Sequence, residues 1–125
     1  MGKSSPVIND ILSCLNFIRN KKQEYVVCLS LDSAGRVMIR RVVTIGLLDM
    51  ALAHPREVFA APLKDRAASI IVAHNHPSGI TEPSSADIEM TQQLAAAGQL
   101  LGIPLRDHII VTSKTHYSFK ANLLI

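Results

Sequence analysis

Residues 68–74, ASIIVAH, and the loop after them limit the folds open to this chain more than any other stretch. Seven largely apolar residues rich in Ile and Val are too few for a free helix, and they read as a central β-strand. The strand gives way to NHPSGITEPS, where two prolines and a glycine within ten residues mark a loop. SSADIEMTQQLAAAGQLLG then opens a long helix that Gly102 ends. Strand, loop and helix are therefore expected in direct succession, with polar side chains gathered at the junction.

The remaining elements emerge from the same periodicities. Ser5 before Pro6 is a helix-start signal, and Ile8, Ile11, Leu12, Leu15 and Ile18 recur at helical spacing, predicting a helix over 6–20. EYVVCLSL, the turn DSAG and RVMIRRVVTI predict a hairpin. A second helix is expected within 49–64, starting after Pro55 and ending around Pro62. LRDHIIVT and HYSF read as two strands around SKT. An early hairpin cannot be part of a βαβ crossover, so the fold class is α/β in the sense of an α+β sandwich: a mixed β-sheet flanked by helices. Neither GxGxxG nor GxxxxGK[ST] comes after a predicted strand, which argues against a doubly wound nucleotide fold.

At 125 residues, 48% of them hydrophobic, the chain is expected to form one domain over 1–125 that needs no staples. It has no apolar run of membrane-spanning length, and MGKSSPVIND lacks the apolar core of a signal peptide. A soluble, cytoplasmic chain with no membrane partner is expected. Cys14 and Cys28 form neither a CxxC pair nor a disulfide framework and are read as buried reduced thiols. Thirteen basic residues against ten acidic ones are spread from Lys3 to Lys120, and the clusters Arg19, Lys21, Lys22 and Arg40, Arg41 read as solvated faces. With no Trp, two Tyr and three Phe there is little material for base stacking, so a single-strand nucleic-acid binder is disfavoured.

Chemistry concentrates at the junction, where His74, His76, Ser84 and Asp87 have the spacing H-x-H-x7-S-x2-D. Side chains two apart on a strand share a face, so both imidazoles can converge on one ion. If the loop folds back so that the helix begins near Ser84, Asp87 lies in its first turn and can bring a carboxylate to the same point. Two nitrogens, one oxygen and an open position form the arrangement expected of catalytic rather than structural zinc. Such an ion would lower the pKa of its water to ~7 and favour hydrolysis. Each part has a plainer reading: Ser84 to Asp87 is also an S-x-x-D capping box, paired His can be structural, and Pro-Ser-Gly can be an ordinary turn. The conjunction favours metal, since capping gives no reason for two His ending an apolar strand.

HNHPSG, PSSAD, AGQLLGIPLRDHIIV and YSF resemble the JAMM, or MPN+, metallohydrolases, and within them the carboxy-terminal domain of RadC-type proteins, from about residue 7 to 120. The resemblance implies a JAMM/MPN-like fold with cytidine-deaminase-like layering and zinc at His74, His76 and Asp87. It also implies that Ser84 assists a tetrahedral intermediate and that a glutamate from an early strand acts as general base. Here that glutamate is Glu24, which would take a proton from water and pass it to the leaving amine, with Glu57 as runner-up. Glu82 and Glu89 rank lower. Ser84 could donate to the oxyanion with help from the helix dipole. His54, His108 and His116 lie outside the motif and read as structural, although Asp107-His108 fits the RadC pattern.

Asn75 stands where deubiquitinating members carry Ser or Thr, and the chain is too short for the insertions that grip ubiquitin. The helix-hairpin-helix region ahead of this domain in longer RadC proteins is absent from the sequence. The expected activity is zinc-dependent amide hydrolysis of an unknown peptide or protein substrate, in a family associated by name with DNA repair. The alternative is a non-enzymatic module that binds DNA or a repair partner and retains a metal site. A deaminase is poorly supported because PCxxC is missing.

Overall fold

The computed structural model describes residues 4–46 and 53–125. Its elements are α1 (Ser4–Leu15) with a 3-10 turn (Asn16–Ile18), β1 (Tyr25–Leu31), β2 (Val37–Ile45), α2 (Pro55–Asp65), β3 (Ser69–Asn75), α3 (Ser85–Leu101), β4 (Leu105–Val111) and β5 (His116–Ser118). The five strands form one mixed sheet in the order β2-β1-β3-β4-β5. β3 pairs in parallel with β4, and the other three pairings are antiparallel. This is the mixed sheet flanked by helices that the sequence predicts, with 68–74 at its centre.

Strand alternation divides the core between the two faces of the sheet. Val27, Leu29, Leu31, Ile71, Ala73, Ile109 and Val111 pack with Ile11, Leu15 and Ile18 from the first helical segment. Val26, Cys28, Ile70 and Val72 turn the other way, toward Val58 and Phe59 of α2 and Met90 and Leu94 of α3. The period of two carries on past Val72, so His74 belongs to the face that α3 covers. That parity, together with a parallel β3-α3-β4 crossover, brings the start of α3 to the end of β3.

Three expectations are adjusted. The first helix tightens into a 3-10 turn after Leu15 instead of running to Asn20, which buries Ile18 completely and sends Arg19 Nη1 to the carbonyls of Thr112 (2.8 Å) and Thr115 (3.1 Å). α2 runs through Pro62 to Asp65: the proline gives up the bond to the carbonyl four residues back and its ring crowds that carbonyl, but burial of the ring keeps it in the helix. Its N-terminus is set by Pro55 in the first turn and by His54 Nδ1, which accepts from Arg56 N–H at 3.1 Å. The part of the helical expectation over 49–52 lies outside the described residues. Finally, Cys28 is buried but Cys14 only half so. Burial pushes the Cys28 thiol up to about 12, with the nearby Asp65 charge adding to the effect, so it is an inert thiol.

Candidate metal centre

His74, next to last in the wholly buried β3, is fully enclosed, while His76, just past the strand, keeps 15% of its side chain exposed. Their Nε2 atoms are 3.0 Å apart. Asp87 faces both from the first turn of α3, with Oδ1 3.4 Å from His74 Nε2 and Oδ2 3.2 Å from His76 Nε2. Among the described residues, His74, His76 and Asp87 form the cluster that could hold a metal ion.

The capping box and the metal reading turn out to be compatible. Ser84 is the N-cap of α3: its Oγ accepts from Asp87 N–H at 3.0 Å, and Asp87 Oδ2 accepts from Ser84 N–H at 2.9 Å. These two bonds aim the carboxylate at the imidazoles. Burial pushes the Asp87 carboxyl up, but the two imidazoles beside it, His74 and His76, outweigh it and hold the group well below the ordinary carboxylate range. The same contact with Asp87 raises the pKa of His76, against the effect of burial.

Behind the three ligand-type side chains stands a second set of contacts, centred on a histidine that the sequence reads only as structural. His108, on β4 and fully buried, lies with Nε2 2.8 Å from His74 Nδ1 and Nδ1 2.6 Å from Thr91 Oγ1. Thr91 in turn donates to the carbonyl of Asp87 at 2.7 Å. Burial, and then repulsion from His74, hold His108 well below its ordinary pKa. Phe119 stacks on its ring at 4.4 Å and 10°. Asp107 braces that arrangement by accepting from Ser118 Oγ (2.6 Å) and Lys120 N–H (3.0 Å), which ties β4 to the end of β5. The signal in the sequence is the Asp107-His108 pair on an apolar strand; only the fold, which sets His108 opposite Val72 and lets its ring reach His74 two residues on, shows that the two histidines meet.

Glu24 precedes β1, whose antiparallel pairing with β3 reaches Val26 opposite His74. Glu24, Lys22, His76, Ile80, Ser84 and Asp87 line one open groove. Asn75 holds this margin in place: its Oδ1 accepts from Tyr25 N–H at 2.7 Å, and its Nδ2 donates to the carbonyls of Gln23 (3.0 Å) and Lys21 (3.3 Å). Glu57 lies apart in the first turn of α2, with its side chain 60% exposed. Glu82 also lines the groove, and Glu89 is exposed on α3. His116 is exposed on β5.

The donor set fits a divalent cation. Two ligand atoms each ~2.1 Å from one ion in tetrahedral geometry lie about 3.4 Å apart, close to the separations seen among the two Nε2 atoms and the carboxylate oxygens. Two imidazoles and a carboxylate would supply three ligands, and an open groove runs past two of them, His76 and Asp87. A five-stranded mixed sheet with such a cluster between a central strand and the helix after it defines a JAB/MPN-type domain.

The sequence matches the family model described as RadC-like JAB domain over residues 5–124, and the chain belongs to that family. It is similar to UPF0758 proteins of Methanospirillum hungatei (53% identical over 95 residues, 76% of this chain and 42% of the relative) and Bacillus licheniformis (50% over 103 residues, 82% and 46%). Another, from Trichormus variabilis, is 48% identical over 100 residues, 80% of this chain and 41% of that protein. The chain thus spans less than half the length of these curated relatives. Among the described residues, no helix is long and apolar enough to cross a membrane.

Proposed function

We propose that this domain is a zinc-dependent hydrolase of the JAMM type that cleaves an amide bond in a peptide or protein. The reading is carried by one observation: His74, His76 and Asp87 bring three ligand atoms together, and His76 and Asp87 line a groove that Glu24 and Ser84 also line. Zinc, when bound, supplies a Lewis acid and lowers the pKa of a water in its open position toward ~7. His74, His76 and Asp87 would hold the ion, the histidines through Nε2 and Asp87 through its carboxylate. The Glu24 carboxylate, in the same groove, takes a proton from water and returns it to the leaving amine. Because Ser84 Oγ accepts from Asp87 N–H, its own O–H is the donor aimed at the negative charge that develops on the substrate oxygen, supported by the N-terminus of α3.

The test measures zinc by emission spectrometry and hydrolysis of an internally quenched peptide library. Wild type is expected to carry zinc and His76→Ala to lose it. Glu24→Gln is expected to keep zinc while turnover drops about 10²- to 10⁴-fold. Equal zinc in wild type and His76→Ala ends the proposal. Steeply salt-dependent DNA retention that survives His74→Ala, without hydrolysis, would instead favour a binding module.

A further inference from the structure

We propose that Thr91 and His108 are positioning residues that fix the tautomer of His74, so that its Nε2 meets the cation site with a lone pair and not a proton. A count of protons leads there. Thr91 has one hydroxyl proton, and its Oγ1 lies 2.7 Å from the Asp87 carbonyl, which can only accept, so the proton points there. The 2.6 Å contact between Thr91 Oγ1 and His108 Nδ1 then needs its proton on Nδ1. A second proton on His108 would put a charge on a fully buried ring whose nitrogens face a hydroxyl and an imidazole, neither of them a counter-charge. His108 Nε2 is therefore an acceptor, and the 2.8 Å contact with His74 Nδ1 requires His74 to donate from Nδ1. The lone pair of His74 is left on Nε2, the atom that faces Asp87 and His76.

The path closes on the site itself. It starts at the backbone of one ligand residue, Asp87, crosses α3 to Thr91 one turn on, passes to β4 through His108 and returns to a second ligand on β3. The stack with Phe119 holds the His108 ring in the plane this needs. His76 reaches the same state by a shorter route, its Nδ1 donating to the Ile80 carbonyl at 2.8 Å. Outer partners of this kind orient ligands and tune their affinity for metal.

The inference rests on the proposed metal site only in assuming that a cation is taken there, and its test separates the two. In zinc-free protein labelled with ¹⁵N-histidine, the ring nitrogen shifts report each tautomer directly, and His74 is expected to carry its proton on Nδ1. Thr91→Val keeps the shape but removes the acceptor, so His108 and then His74 shift toward the Nε2–H form. Zinc affinity, measured by competition with a chromogenic chelator, is then expected to fall roughly 10- to 100-fold, and Thr91→Ser to restore it. Wild-type His74 protonated on Nε2, or Thr91→Val with unchanged zinc affinity, overturns the relay while leaving the metal site standing. If Thr91→Val does not fold, the wild-type tautomer decides. If wild type binds no zinc, the proposed function fails and the tautomer still decides the relay.

Discussion

Asn75 shows how one side chain can serve a site without facing it. It sits between the two histidines, points away from them, and makes three hydrogen bonds to the backbone of residues 21–25, the segment that carries Glu24. Replacing it with Ala leaves the Tyr25 N–H without its side-chain acceptor, a loss of about 1 to 3 kcal/mol in unfolding free energy measurable by urea titration. Zinc content should be retained, because His74, His76 and Asp87 are held by His108, Ile80 and Ser84, whereas hydrolysis should fall as Glu24 loses its fixed margin. At this scale the sequence alone shows Asn75 only as a departure from Ser or Thr. Its partners come from a segment about fifty residues away, and no local spacing encodes that meeting.

The elements depend on a few positions where backbone approaches backbone. Gly98 in α3 is one: a Cβ there would stand 2.6 Å from the Ile103 carbonyl oxygen and 3.2 Å from Leu105 N. Neither atom can swing aside as a flexible side chain would. Alanine gains up to about 1 kcal/mol of helix propensity over glycine, but this overpacking costs roughly 1 to 3 kcal/mol or more. Gly98→Ala is therefore expected to lower the melting temperature by several degrees in a calorimetric scan, and zinc content at the far end of the helix should not change. Element types are legible in the sequence from period and punctuation, as in the Ser84 and Gly102 boundaries of α3. Two ends are not. Pro62 stays inside α2 and the first helix narrows after Leu15, because burial and the reach of Arg19 outweigh local preference.

For the whole molecule, a cation held by β3 and α3 is a crosslink between two elements that unfolding separates. Binding to the native state alone stabilises it by about 2.7 kcal/mol at one hundred times Kd. Added zinc should therefore raise the melting temperature of wild type and leave His76→Ala unmoved. The sign with pH is set by His76, whose pKa is raised above 6.5 mainly by its hydrogen bond with Asp87. In metal-free protein this raised value contributes stability below 6.5 that is lost as pH rises through the folded-state pKa. Zinc needs the same Nε2 without its proton, so the zinc-induced shift should grow between about pH 6 and about pH 8. A shift that shrinks over that range would mean the ion binds elsewhere.

Local patterns in the chain were enough to set the central strand, the hairpin, the capped helix and the residue types gathered at their junction, because periodicity, caps and turns are properties of neighbouring residues. His74, His76 and Asp87 could be singled out for the same reason, lying within fourteen residues on one strand, loop and helix. That His108 backs His74, that Thr91 links it to Asp87, and that residues 21–25 close the groove came from the folded arrangement alone. Those contacts join segments 17 to 54 residues apart through strand register and helix packing, and nothing in either segment by itself specifies its partner.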